Sequence, residues 1–104
     1  MICERKTLVV FEDIKDMDKV DVVVLTKNSA ATLKHVLHGI FNAIAVNKLI
    51  IVDGDSTDET LSIAKQSGAR IIKGARNLAF ARYQGVLEVE TEWFCFVDSD
   101  MYVS

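Results

Sequence analysis

From Val20 onward, short β-branched apolar runs alternate with amphipathic stretches. Val20 to Leu25 is dominated by valine, the pattern of a strand covered on both faces. Asn28 or Ser29 is placed to cap a helix whose apolar positions are Leu33, Val36, Leu37, Ile40, Phe41 and Ile44. Spacings of three and four put these residues on one helical face. Leu49 to Val52 reads as a second buried strand. Ser56 followed by Glu59 has the form of a capping box, opening a helix through Leu61, Ile63 and Ala64 that stops near Gly68. Ala69 to Ile72 is a third, short strand, a third helix runs from about Leu78 to Glu90, and Trp93 to Val97 is a fourth strand. Earlier in the chain, Thr7 to Phe11 has strand character and Glu12 to Lys19 is a charged connection.

Strands alternating with helices imply βαβ units, a parallel sheet and an α/β fold with right-handed crossovers. Residues 1–19 form an N-terminal extension, and 20–104 the α/β portion. In such sheets ligands bind beyond the carboxyl ends of the strands. Those ends carry Thr26-Lys27-Asn28, Asp53-Gly54-Asp55-Ser56, Gly74 to Asn77 and Asp98-Ser99-Asp100, all conspicuously polar.

Composition narrows the function classes. The 104 residues are 50% hydrophobic and 26% charged with a net charge of -3, which suits a globular domain and argues against a general nucleic-acid binder. No apolar stretch approaches the ~20 residues that cross a bilayer, and Glu4, Arg5 and Lys6 interrupt any leader-like run. Cys3 and Cys95 are too few for a disulfide framework or a zinc site. Cys95 lies in an apolar run that favours a buried reduced thiol, and a reducing, cytoplasmic setting follows as the expectation.

Asp98 and Asp100 lie two apart on an extended chain and so point to the same side. Their hard oxygens suit Mn²⁺ or Mg²⁺, which take one or two carboxylates and complete their shell with phosphate and water. His35 and His38 match no metal-ligand spacing and read as surface residues, and Trp93 as packing at a strand start.

Four segments in order resemble the family 2 glycosyltransferases: Val-Val-Val-Leu-Thr-Lys-Asn at 22–28, Ile-Val-Asp-Gly-Asp-Ser-Thr-Asp at 51–58, Ala-Arg-Tyr-Gln-Gly at 81–85 and Phe-Val-Asp-Ser-Asp at 96–100. The resemblance covers about Val20 to Ser104 and implies a GT-A fold, Rossmann-like, with its four strands in order 3-2-1-4. It further implies a nucleoside-diphosphate sugar as ligand. Asp53 would then accept hydrogen bonds from a nucleobase, Thr26 and Asn28 line the base and ribose pocket, and Arg82 reach the base or a phosphate. Asp98 and Asp100 would hold the Mn²⁺ or Mg²⁺ against the diphosphate, with Arg76 and Asn77 as weaker candidates and Lys27 and Lys73 solvated.

Departures from the family pattern are local. The usual Asp-Asp-Gly-Ser appears as Asp53-Gly54-Asp55-Ser56, leaving Asp55 without a role, and Tyr83 replaces a frequent asparagine. In the family, the acceptor site and the carboxylate general base follow the segment matched here, so the base is expected beyond Ser104 and the acceptor (saccharide, lipid phosphate or protein) is open. A donor-binding fragment that does not transfer sugar alone is the expectation, with self-association through the surface near the C-terminus, where the strand Trp93 to Val97 or a neighbouring apolar face is uncovered. The competing outcome is that the extension through Thr7 to Phe11 pairs with the exposed edge and protects it. Membrane contact would come through parts not present. The alternatives are a non-catalytic nucleotide-binding or receiver-like module, and a haloacid-dehalogenase-type phosphohydrolase fragment.

Overall fold

Valine-rich runs with no polar face need cover on both sides, and the architecture supplies it. In the computed structural model, which describes residues 2–5 (backbone), 19–74 and 77–98, five strands and three helices alternate. They are β1 (Ile2–Arg5), β2 (Val20–Thr26), α1 (Ala30–Ala43), β3 (Val46–Asp53), α2 (Thr60–Gln66), β4 (Arg70–Lys73), α3 (Leu78–Glu88) and β5 (Trp93–Asp98). The sheet order is β1-β5-β2-β3-β4. Strands β5, β2, β3 and β4 pair in parallel, which is the expected 3-2-1-4 order.

β1 adds to this frame. It pairs antiparallel with the far side of β5, Ile2 opposite Phe96 and Arg5 opposite Trp93. The expected strand at Thr7 to Phe11 lies outside the described residues. Since β1 occupies the edge of β5, the open edge that motivated an expectation of self-association there is closed. The register also sets Cys3 opposite Cys95, and Cys95 is disulfide-bonded, not the free thiol expected. An apolar run indicates burial, but it carries no information about which strand lies across.

The sheet separates two cores. On one face Val22, Val24, Leu49, Ile51 and Val97 pack against Leu33, Val36, Leu37 and Ile40 of α1 and Ala64 of α2. On the other, Val23, Leu25, Ile50, Val52 and Phe94 pack against α3 through Ala81. Phe41, placed by spacing on the buried face of α1, is 51% exposed because it sits at the flank of the stripe ending at Ile40. α2 starts at Thr60 without a side-chain cap from Glu59, so Ser56 and Glu59 do not form the expected capping box.

α3 lies unusually close to the sheet because its inner face is small. Only Ala81 and Gly85 are buried, and a Cβ at Gly85 would stand 2.4 Å from Val23 Cγ1. Val23 is itself wholly buried within the sheet, so the clash has no easy relief. Gly85→Ala is therefore expected to lower unfolding free energy by about 1–3 kcal/mol, despite alanine's better helix propensity. Urea denaturation of the two proteins checks this, and an unchanged midpoint would show that α3 can lift without penalty.

Candidate functional site

The parallel registers bring the polar strand ends to one edge. Thr26 lies opposite Asp53, Asp53 opposite Lys73, and Leu25 opposite Asp98. Asp53 and Asp98 thus share the carboxyl edge, as the βαβ reading requires. Asp100 and Arg76 lie outside the described residues.

Asp53 is the hub of this edge. It is wholly buried, yet three donors meet its carboxylate. Thr26 Oγ1 donates to Oδ1 at 2.7 Å, Ser56 Oγ to Oδ1 at 2.6 Å, and Ser56 N to Oδ2 at 2.8 Å. A buried carboxylate must be compensated, and the nearest donors are those of the turn it starts.

The β2–α1 and β3–α2 loops are tied directly to each other. Asn28, in the left-handed region at φ 47°, donates its N–H to Ser56 Oγ at 2.8 Å. Its side-chain oxygen accepts from Thr57 N at 2.8 Å. Asp58 accepts from Ala30 N at 3.2 Å and from Thr60 N at 2.9 Å, and also from the Thr60 hydroxyl. One carboxylate therefore serves the first turns of α1 and α2 together, where the partial positive ends of both helices favour a negative charge. Ser29 N donates to Thr60 Oγ1 at 2.7 Å and completes the tie.

Sequence reasoning placed Ser56 at this edge but gave it a helix-capping role, and it missed Asp58 and Thr60. A signal was present: an aspartate two residues before a threonine is an Asx-type start that competes with the capping-box interpretation. Asp55, which had no role, sits at φ 60°, a left-handed position that asparagine and aspartate tolerate and glycine prefers. Beside it, a Cβ on Gly74 would come within 4.0 Å of Asp55 Oδ1, so the end of β4 closes against this loop.

Arg82 reaches the edge from α3. Its guanidinium carbon lies 5.8 Å from the Phe96 ring centroid, two residues before Asp98, and Phe96 in turn meets Phe94 edge-on at 5.3 Å. Asn77 is occupied as the N-cap of α3, its side chain accepting from Phe80 N at 2.9 Å. Lys27, Lys73, His35 and His38 are exposed, as expected. A groove of about 300 Å³ between β4 and α3, lined by residues such as Arg70, Gln84 and Leu87, contains none of the candidate residues. The edge offers a half-buried carboxylate at Asp98, hydrogen-bonded loops and a cation on an aromatic support, a set suited to a charged, polar ligand.

Comparison with known proteins agrees with this geometry. The model of the family described as Glycosyl transferase family 2 matches residues 21–104. A glycosyltransferase of Rickettsia felis is 39% identical over 56 residues, covering 54% of this chain and 19% of that protein. The 4,4'-diaponeurosporenoate glycosyltransferase of Staphylococcus aureus is 28% identical over 87 residues, covering 77% and 23% respectively. Glucosyl-3-phosphoglycerate synthase of Mycobacterium tuberculosis, solved with UDP and Mn²⁺ or Mg²⁺, superposes with a TM-score of 0.72 in its complex with Mn²⁺, UDP and glucosyl-3-phosphoglycerate. That match is 27% identical and covers 88% of this chain and 37% of the synthase. The chain thus spans well under half the length of each of these relatives.

Two outcomes test the loop assignments. Asp55→Gly should leave stability unchanged or slightly raised, while Asp55→Val should cost about 1–2 kcal/mol in urea unfolding, the strain of a branched residue at positive φ. Equal stability for both variants would contradict the left-handed assignment. The Thr60 hydroxyl and then the Thr60 N–H hold the Asp58 carboxyl below its ordinary value, against an opposing effect of burial that outweighs the further help from Ala30 N–H. A depressed folded value contributes stability above the unfolded pKa of about 3.9, lost as pH falls through the folded value. The melting-temperature advantage of wild type over Asp58→Asn should therefore narrow below about pH 4; a gap constant from pH 6 to pH 2 would exclude this.

Proposed function

The chain belongs to glycosyl transferase family 2, and on that premise we propose that it forms the donor-binding portion of a glycosyltransferase, gripping a nucleoside-diphosphate sugar at the carboxyl edge of its sheet. The observation that carries this reading is the convergence of Thr26, Asp53 and Asp98 on one edge with Arg82 alongside. Family membership sets aside the receiver-like and phosphohydrolase alternatives.

Each residue has a task that its chemistry suits. Asp53, surrounded by donors, keeps one acceptor direction on Oδ2 for a nucleobase N–H. Because Asp53 is wholly covered, the base meets it only as the loop ends above it shift. Thr26 orients that carboxylate from the adjacent strand, and Asn28 stands at the rim of the base and ribose pocket. Arg82, steadied on Phe96, offers a planar cation to the base edge or a phosphate oxygen.

Asp98 closes β5 with carboxylate oxygens at the edge, a donor type that fits Mn²⁺ or Mg²⁺, and Asp100 is the second ligand in this reading. When bound, the ion would neutralise the charge that builds on the departing diphosphate. No residue of this chain is assigned to deprotonate the acceptor. The acceptor is a saccharide, a lipid phosphate or a protein, with nucleic acid disfavoured by the net charge of -3. Among the described residues no helix is long and apolar enough to cross a membrane.

Calorimetric titration with UDP, GDP, ADP and CDP tests the reading. The preferred diphosphate should bind at least about tenfold more tightly with Mn²⁺ than in chelator, and Asp98→Ala should abolish that difference. Equal affinity in chelator would remove the metal role of Asp98 and Asp100.

A further inference from the structure

We propose that Ser56 is a positioning residue for the donor site, its hydroxyl relaying the backbone of Asn28 to the carboxylate of Asp53; the inference rests on the donor-binding reading above. A serine hydroxyl owns one proton and accepts through two lone pairs. Asn28 N can only donate, and it does so to Ser56 Oγ at 2.8 Å. The single proton of Ser56 is therefore free to serve Asp53 Oδ1, 2.6 Å away. Thr26 brings a second O–H to the same oxygen at 2.7 Å, which fills Oδ1. Ser56 also holds Oδ2 through its own N–H at 2.8 Å, so one residue grips both carboxylate oxygens.

Two consequences follow from this direction of donation. The terminal torsion of Asp53, broad for an aspartate left to itself, is locked with the remaining acceptor direction of Oδ2 fixed in space. The same hydroxyl joins the loop after β2 to the loop after β3, so the Asn28 rim and the Asp53 floor of the pocket move as one unit. The left-handed conformation of Asn28 at φ 47° is what turns its N–H toward Ser56. None of these contacts reaches Asp98, so the relay acts on the nucleoside end of the ligand and not on the diphosphate.

The test compares nucleoside diphosphates with inorganic pyrophosphate, each titrated with Mn²⁺ into wild type, Ser56→Ala, Ser56→Cys and Ser56→Thr. Loss of one oriented hydrogen bond should weaken the preferred nucleoside diphosphate by roughly 3–10-fold in Ser56→Ala. Ser56→Cys, nearly isosteric but a poor donor, should behave alike and serves where the alanine variant unfolds. Ser56→Thr, which keeps the hydroxyl, should recover to within about twofold, and pyrophosphate should shift by less than about twofold in every variant. Unchanged nucleoside-diphosphate affinity in both Ser56→Ala and Ser56→Cys overturns the relay while leaving donor binding intact. Parallel weakening of pyrophosphate overturns it too, since the damage would then be general. If wild type binds no nucleoside diphosphate, the donor-binding reading itself fails and takes the relay with it.

Discussion

Everything in this fold depends on covering β2 from both sides. Val22, Val23 and Val24 are each wholly buried, and consecutive strand residues face opposite ways, so neither face of the sheet can be left to water. Burying each valine stabilises by about 1.5–3 kcal/mol, which makes the central strand worth more than any single polar contact at the edge. The solution is asymmetric: α1 and α2 cover one face, and α3 alone covers the other. A single helix can do this only by lying close, and Ala81 and Gly85 provide the small surface for it. The same closeness carries Arg82 over Phe96 and beside the strand that ends at Asp98. Packing on the hydrophobic side of α3 thereby sets the position of a cation at the polar edge.

The two ends of β2 each place a buried carboxylate next to the strand. At the amino end Asp21, wholly buried, accepts from Asn47 Nδ2 at 2.8 Å and from the backbone of Glu90 at 2.7 Å and Thr91 at 3.3 Å. It ties the entry of β5 to the entries of β2 and β3. At the carboxyl end Asp53 is held by Thr26 and Ser56. The two differ in what they bind: Asp21 gathers mostly backbone donors that need a partner for folding, whereas Asp53 gathers mostly hydroxyls.

Element types and order were legible because the apolar periods are strong: the strands at Val20, Leu49 and Trp93 and the helix through Leu33 and Ile40 all appear, with boundaries shifted by a few residues. The carboxyl-edge placement of Thr26, Asp53 and Asp98 followed from the parallel topology and needed no side-chain information. What was not legible depended on partners distant in sequence. The pairing of β1 with β5 joins residues from opposite ends of the sequence, such as Ile2 and Phe96, and nothing in Ile2 to Arg5 names β5 as its neighbour. The role of Ser56 was misread because a capping box and an Asx turn make overlapping demands on the same few residues. Burial of Asp53 decided between them, and burial is a property of the assembled sheet.

Left-handed backbone at Asn28 and Asp55 shows how the edge keeps its shape without spending glycine there. A glycine at either site would adopt the conformation freely, but it would bring no side chain, and it would lose more entropy on ordering. Asn28 uses its side-chain oxygen to hold Thr57, so the residue that bends the first loop also fastens the second. Asp58 does the corresponding work one step further along, binding the first turns of α1 and α2 with a single charge. The result is a pair of loops cross-linked by the side chains of Asn28, Ser56, Asp58 and Thr60, each rooted in a strand end or helix start fixed by the hydrophobic core. The hydrogen-bonding groups of the two loops therefore take their relative positions as the sheet and helices assemble, and a change in one loop is felt in the other.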